Sequence, residues 1–251
     1  VKKILFINPI HTDIFNHEFK KMLNNSKLQD TSVDVVSLEN GKGPCHLQYH
    51  SYEAMVMPKI IQRVREAEEE NYDAVIIGCF YDTALRASRE ISRKMVVAAP
   101  AESSLHIAST LGETISIIVS EKKCIPEMRE NVRKYGFGER VVSFKSVDLK
   151  VHEFQKDLQE TKRRILQASK EAIEKDGADI IVLGCTAEFG TYDEIQQELG
   201  IPVIDSGLAA FKYAEFLIEI KDKMNWTHSK LIGYQSPPEE EVQSFGILMQ
   251  K

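Results

Sequence analysis

Short runs of consecutive apolar, often β-branched residues recur along the chain, and amphipathic stretches of helical length separate them. The runs predict strands over Ile4 to Asn8, Val33 to Leu38, Ala74 to Gly78, Met95 to Ala98, Thr114 to Val119, Val141 to Phe144, Asp179 to Leu183 and Pro202 to Asp205. Most are apolar throughout rather than alternating, as suits parallel strands covered on both faces. Helices are expected over Phe15 to Leu23, Met55 to Glu70, Thr83 to Arg93, Ser104 to Leu111, Pro126 to Tyr135, Phe154 to Lys175, Tyr192 to Leu199 and Leu208 to Lys221. Strand–helix alternation of this kind implies an α/β architecture with parallel sheets.

The alternation repeats itself. Tyr72-Asp73-Ala74-Val75-Ile76-Ile77-Gly78-Cys79 aligns with Ala178-Asp179-Ile180-Ile181-Val182-Leu183-Gly184-Cys185. Val96-Val97-Ala98 is echoed by Val203-Ile204-Asp205, and Val35-Val36-Ser37 by Val141-Val142-Ser143, at a similar offset. The repeat implies two similar lobes, each a four-stranded parallel sheet flanked by helices, related by a pseudo-twofold with the active site between them. The expected division is 1–98 plus 206–251 for the first lobe and 99–205 for the second. In open parallel sheets, ligands bind beyond the carboxyl ends of the strands. Cys79 and Cys185 both stand at such ends, each directly after a glycine. A single cysteine there is most often a small core hydrophobe. Two placed alike in duplicated halves suggest an acid and a base facing one carbon.

Composition narrows the partners. The 251 residues are 43% hydrophobic and 28% charged, enough for a large core, and the formal net charge is -6. An acidic, unclustered balance argues against nucleic acid and against an anionic membrane surface. No apolar run approaches the ~20 residues of a membrane span. The opening Val1-Lys2-Lys3-Ile4-Leu5-Phe6-Ile7 is too short an apolar run for a signal peptide before Asn8 and Pro9 interrupt it. It reads as a buried first strand, and a cytoplasmic location is expected. The four cysteines form no CxxC pair and no disulfide framework.

These segments resemble the aspartate/glutamate/hydantoin racemase superfamily, most closely its hydantoin and allantoin racemase branch. Gly78-Cys79-Phe80-Tyr81-Asp82-Thr83-Ala84-Leu85 is similar to that branch's Cys-Phe-Gly-Asp-Pro-Gly-Leu pattern. Glu102-Ser103-Ser104-Leu105-His106-Ile107-Ala108, Tyr135-Gly136-Phe137 and Ile7-Asn8-Pro9 resemble further landmarks of the family. Three departures stand out. Ile10-His11-Thr12 replaces a polar Asn-Thr pair, and Tyr81, Thr83 and Ala84 replace Gly, Pro and Gly. Gly184-Cys185-Thr186-Ala187-Glu188 lies closer to the Gly-Cys-Thr-Glu pattern of the amino-acid racemases. The proton-transfer pair is kept while the substrate walls change, so reaction class carries over better than substrate.

The resemblance implies cofactor-independent racemisation by two-base 1,1-proton transfer at a carbon next to a carbonyl. The expected substrate is a small molecule, a 5-substituted hydantoin or allantoin. An aspartate- or glutamate-type racemase is the first alternative, and maleate-isomerase-like chemistry the second. A ligand-binding protein with a dead site is disfavoured by the presence of both thiols. A thiol with reference pKa near ~8.5 serves as either acid or base. Each cysteine precedes a helical pattern, so a helix N-terminus is expected to favour the thiolate. The backbone N–H groups of Phe80 and Thr186, with the Thr186 hydroxyl, are candidate donors to the developing enolate oxygen. Asn8, Thr12 and Ser120 are candidate substrate contacts or helix caps. Asp82 is read as a cap for the helix after Cys79 or as a partner of that cysteine, and Glu188 in the same two ways for Cys185. His106 is a supporting candidate, with packing as its alternative.

No Gly-rich phosphate loop or other cofactor motif occurs, so no cofactor is expected. Cys45-His46 and His50 lack a fourth ligand, so no metal is expected. That segment reads instead as a loop over the site. The Glu68 to Glu70 run reads as a solvated helix end. Pro237-Pro238-Glu239-Glu240-Glu241 reads as the start of an exposed tail suited to capping a partner subunit, with Trp226 nearby as a possible anchor. The resemblance also implies a homo-oligomer.

Overall fold

The structure, a computed structural model, describes residues 1–245. Its contacts divide the chain into two compact units. The first comprises Val1–Gly78, Asp82–Ala99 and the chain from Phe211 onward; the second comprises Cys79–Tyr81 and Pro100–Ala210. The short segment after Gly78 therefore packs with the second unit, although the strand that leads into it belongs to the first.

In the first unit, β1 (Lys2–Asn8), β2 (Thr31–Ser37), β3 (Ala74–Ile77) and β4 (Val96–Ala98) form one parallel sheet in the order β2-β1-β3-β4. Ile4, Leu5, Phe6 and Ile7 in the central strand have no exposed surface. That is why this run is apolar at every position rather than at every second one. Around the sheet lie α1 (Asn16–Ser26), α2 (His50–Glu69) and α3 (Leu85–Ile91). Phe19 of α1 packs its ring 5.2 Å from that of Phe6.

The second unit repeats the plan. Its strands are β5 (Ile115–Val119), β6 (Val141–Ser146), β7 (Ile180–Leu183) and β8 (Val203–Ile204), parallel in the order β6-β5-β7-β8. Its helices are α4 (Pro100–Leu111), α5 (Ile125–Lys134), α6 (Leu158–Asp176) and α7 (Tyr192–Leu199). α6 shows how local signals set the ends. The Asp157 carboxylate accepts the Glu160 N–H at 3.0 Å, and Gly177 closes the helix at φ 68°. The boundary back to the first unit falls within α8 (Ser206–Met224). No helix among the described residues is long and apolar enough to cross a membrane.

Two expectations about charge are corrected. Glu68 is not a solvated helix end. Burial alone would raise its pKa, but the backbone N–H groups of Lys94, Arg93 and Met95 outweigh burial and hold the carboxylate below its usual range. Glu68 thus fastens the turn that enters β4. The tail from Pro237 is fastened as well, to the chain's own first unit. Glu239, at the start of α9 (Glu239–Ser244), bridges Arg65 and Arg93, and Val242 is buried. Upstream, His228 Nε2 accepts the Val97 N–H at 3.0 Å on edge strand β4, and Arg89 donates to the Tyr234 hydroxyl at 3.1 Å. The Lys230 ammonium donates to the carbonyls of Arg89 and Ser92 at the end of α3. Trp226 is 65% exposed, as an isolated surface aromatic rather than an anchor.

Each sheet ends in a close approach. A Cβ on Gly184 would lie 2.5 Å from the Ile118 carbonyl oxygen, and one on Gly78 would lie 2.4 Å from the Phe6 ring and a less severe 3.0 Å from the Ile7 carbonyl oxygen. A ring edge can shift, whereas a ladder carbonyl cannot without breaking the sheet. We therefore expect Gly184→Ala to destabilise the protein by about 2–3 kcal/mol or more, as overpacking does, and Gly78→Ala by less. Urea unfolding of both variants beside the parent checks the order; equal losses would refute this account.

Candidate active site

At the end of β7, Gly184 N–H donates to the Ile118 carbonyl at 2.7 Å, and the chain leaves the sheet at Cys185. The next residues form one tight turn, Thr186–Glu188, with Cys185 as its N-cap in an extended conformation. A reciprocal capping box closes it. The Glu188 backbone N–H reaches the Cys185 side chain, and Glu188 Oε2 accepts the Cys185 N–H at 3.2 Å. Gln155 Nε2 donates to the carbonyls of Ala187 and Phe189, and the Thr191 hydroxyl donates to that of Glu188. The cysteine therefore sits on a turn braced from three directions.

Cys79 enters the same neighbourhood through the segment that packs with this unit. Tyr81 is buried, and its carbonyl accepts from Asn131 Nδ2 of α5 at 2.8 Å. Its hydroxyl is hydrogen-bonded to Cys124, whose sulfur lies 3.3 Å from Ser120 Oγ at the end of β5. Burial foremost, then Cys124, Cys79 and Glu127, raises the Tyr81 phenol far above its ordinary value, so it remains a neutral donor. Cys79 and Cys124 both act electrostatically on Cys185. Three thiols, a hydroxyl and a phenol thus share one region of the second unit. Cys79 and Cys185 keep partial exposure, while Cys124 is buried.

The electrostatics reverse one expectation. Cys185 is not eased toward thiolate by a helix N-terminus. Burial and then the Glu188 charge raise its pKa well above normal, and the opposing Ala187 N–H is outweighed. Glu188 is itself fully buried, and burial together with Asp205 drives its pKa well up against the Cys185 N–H bond. Its Oε1 has no hydrogen-bond partner among the described residues. Burial also raises Asp205 to about 6, against the N–H groups of Leu208 and Gly207. Nor does a helix start beside Cys79, since α3 begins only at Leu85. The N-cap there is Ala84, with no side-chain cap bond, so Asp82 is not the cap. Asp82 is buried at φ 52°, and its carbonyl accepts the Leu85 N–H.

The remaining candidates divide. Phe80 and Thr186 are buried beside their cysteines. In the first unit, the buried Asn8 stands level with Gly78 across the β1–β3 ladder. Its amide donates to Asn16 Oδ1 and Ser37 Oγ, both at 3.1 Å, and to the Thr12 carbonyl at 3.4 Å. That nitrogen serves to hold the β1 loop. Thr12 contributes its carbonyl to the same knot and accepts the Ile14 N–H on its hydroxyl. His106 is exposed on α4, with its ring edge against Phe137 at 5.2 Å. Cys45 is exposed, His46 packs against Tyr49 and Tyr52, and His50 already belongs to α2 rather than to a loop. Sequence reasoning passed over Cys124 and Tyr81. The spacing Ser120-x3-Cys124 directly after a strand was the available signal, since four residues round a first turn bring two side chains together.

A model of the Asp/Glu/Hydantoin racemase family matches residues 4–214. The chain belongs to the Asp/Glu/Hydantoin racemase family. Within this racemase family, a hydantoin racemase of Pseudomonas sp. (strain NS671) is 31% identical over 248 residues, 97% of each chain. Another, of Paenarthrobacter aurescens, is 32% identical over 240 residues, 95% of this chain and 99% of that one. The fold matches that of an allantoin racemase from Klebsiella pneumoniae with a TM-score of 0.88 at 24% identity, covering 95% of both chains. The enzyme class that follows is isomerase, of the racemase type.

Asp205 offers a test of these electrostatics. Its folded pKa of about 6 exceeds the ordinary 3.8, so the unfolded chain loses its proton first as pH rises. Asp205 therefore contributes stability at low pH that is lost between about pH 4 and about pH 6, by up to about 3 kcal/mol at ~1.4 kcal/mol per unit. Asn caps helices as well as Asp does. Asp205→Asn is expected to gain on the parent across that window and to run parallel above it in denaturant titrations. Parallel curves throughout would show that Asp205 ionises normally.

Proposed function

We propose that the protein racemises a 5-substituted hydantoin or allantoin without a cofactor, with Cys79 and Cys185 exchanging a proton with opposite faces of the ring carbon. The observation that carries the reading is the pair of strand-end thiols, electrostatically coupled within one unit beside Ser120. Similarity to hydantoin racemases over nearly the whole chain supports the substrate class.

The chemistry follows from what the site contains. Removal of the ring proton leaves a carbanion, which the neighbouring carbonyl spreads onto its oxygen. A ring of this kind holds a more acidic C–H than a zwitterionic amino acid, so less barrier has to be lowered. A thiolate at Cys79 takes the proton as the C–H electron pair moves to the carbonyl oxygen. The Cys185 thiol then delivers its proton to the other face. Backbone N–H groups of Phe80 and Thr186, with the Thr186 hydroxyl, are suited to the oxygen as its charge develops. The Ser120 hydroxyl, held by Cys124, is suited to a second polar group of the substrate.

One motif favours a second reading. Gly184-Cys185-Thr186 follows the amino-acid racemase pattern, so free aspartate and glutamate belong in the same assay. Chiral chromatography of hydantoins, allantoin and both amino acids separates the readings; turnover of the amino acids alone would overturn the first. Cys79→Ser and Cys185→Ser are each expected to lower racemisation by ~10²–10⁴-fold, the usual worth of a positioned acid or base. In heavy water each variant should still exchange the proton of one enantiomer, and a different one for each. Equal loss of exchange for both enantiomers in both variants would rule out two opposed bases.

A further inference from the structure

Glu188 is a fully buried carboxyl that the reaction above does not use. Its Oε2 receives the Cys185 N–H, its backbone N–H reaches the Cys185 side chain, and its Oε1 has no hydrogen-bond partner among the described residues. Acids act on this turn against its backbone N–H groups: Glu188, Cys79 and Cys124 act electrostatically on Cys185, and Asp205 on Glu188. Two acids within one desolvated turn cannot both ionise without a large penalty. Backbone N–H groups serve both, those of Ala187 and Glu188 at the sulfur and that of Cys185 at Oε2, so the carboxyl, by its ordinary pKa much the stronger acid, takes the charge before the sulfur.

We propose that Glu188 is the positioning residue of Cys185. It fixes the thiol's direction through the capping box and keeps the sulfur protonated in the resting enzyme, so that Cys185 starts as the acid and Cys79 as the base. In the first turnover the C–H bond breaks toward the Cys79 thiolate, and its electron pair moves onto the carbonyl oxygen. As that pair returns to carbon, the Cys185 S–H bond breaks and its proton forms the new C–H bond. Cys79 ends as thiol and Cys185 as thiolate. The site must then exchange protons with solvent, or accept the opposite enantiomer, before it repeats.

The inference rests on the two-thiol reading, but its test needs no turnover. NMR of protein carrying isotope-labelled cysteine follows each Cβ resonance through its own sulfur's titration, with Cys79→Ser and Cys185→Ser giving the assignments. In the parent, Cys185 is expected to titrate at a higher pH than Cys79. Glu188→Gln keeps an acceptor for the Cys185 N–H but removes the competing charge. It should lower the Cys185 midpoint by at least one pH unit and leave that of Cys79 nearly unchanged. A parent in which Cys185 titrates below Cys79 overturns the proposal, and that comparison needs no folded variant. So does a folded Glu188→Gln protein whose Cys185 midpoint has not moved. A protein that passes this test yet racemises nothing would refute the proposed activity and leave the role of Glu188 standing.

Discussion

The placement of both thiols depends on how closely the central strands of each sheet approach. Gly78 and Gly184 each make the last ladder bond of their strands, to the carbonyls of Ile7 and Ile118. Each also occupies a position where a side chain would collide with the neighbouring strand. The backbone thus sets the exit direction of the next residue before any side-chain packing is considered. A cysteine held this way needs no deep pocket of its own, and both stay partly open to solvent. Around Cys185 the constraint is doubled, because the capping box returns from Glu188 to the same residue.

Magnitudes decide the charge state there. A helix N-terminus is worth about 0.3–1 kcal/mol to an anion at an ordinary site. Full desolvation moves a pKa by as much as 3–5 units, and part of that shift, at a residue partly open to solvent, still exceeds the dipole. The turn after Cys185 offers the sulfur the N–H groups of Ala187 and Glu188, while burial and a neighbouring carboxyl oppose ionisation. Burial therefore outweighs the dipole and shifts Cys185 toward the neutral thiol.

The sheets were legible in the sequence because a strand covered on both faces leaves an unbroken apolar run, and the doubling of the fold left a doubled run ending in Gly-Cys. The place of the two cysteines, each just past a strand end, was legible for the same reason. Less visible were features that depend on who sits opposite. Glu68 looks like any charge at a helix end until three backbone N–H groups are folded onto it. Asp82 looks like a cap, yet two left-handed residues, Asp82 and Ala84, delay the helix to Leu85. The tail's polar composition suggested an exposed segment suited to a partner subunit. Its hold on the first unit comes from isolated groups (His228, Lys230, Tyr234, Glu239) that carry no periodicity. Cys124 follows Lys122 and Lys123 in a short turn with no partner in the repeat to mark it, although its sulfur ties Tyr81 to Ser120.

Unequal thiols raise a question for any racemase, since the two enantiomers of a substrate in achiral solution have the same free energy. The protein cannot shift that equilibrium, and kcat/KM must be equal in the two directions. What an uneven pair can alter is how much enzyme rests in each protonation state, and hence kcat and KM separately for each enantiomer. Fully buried Glu188 acts on Cys185 and Asp205 acts on Glu188, while the carboxyl acting on Tyr81 beside Cys79 is the half-buried Glu127. The duplicated fold therefore supplies two equivalent positions, and the buried carboxyls make them chemically different. If the two thiols act as proposed, the difference appears in the pH dependence of kcat and KM for each enantiomer, while kcat/KM stays equal in the two directions.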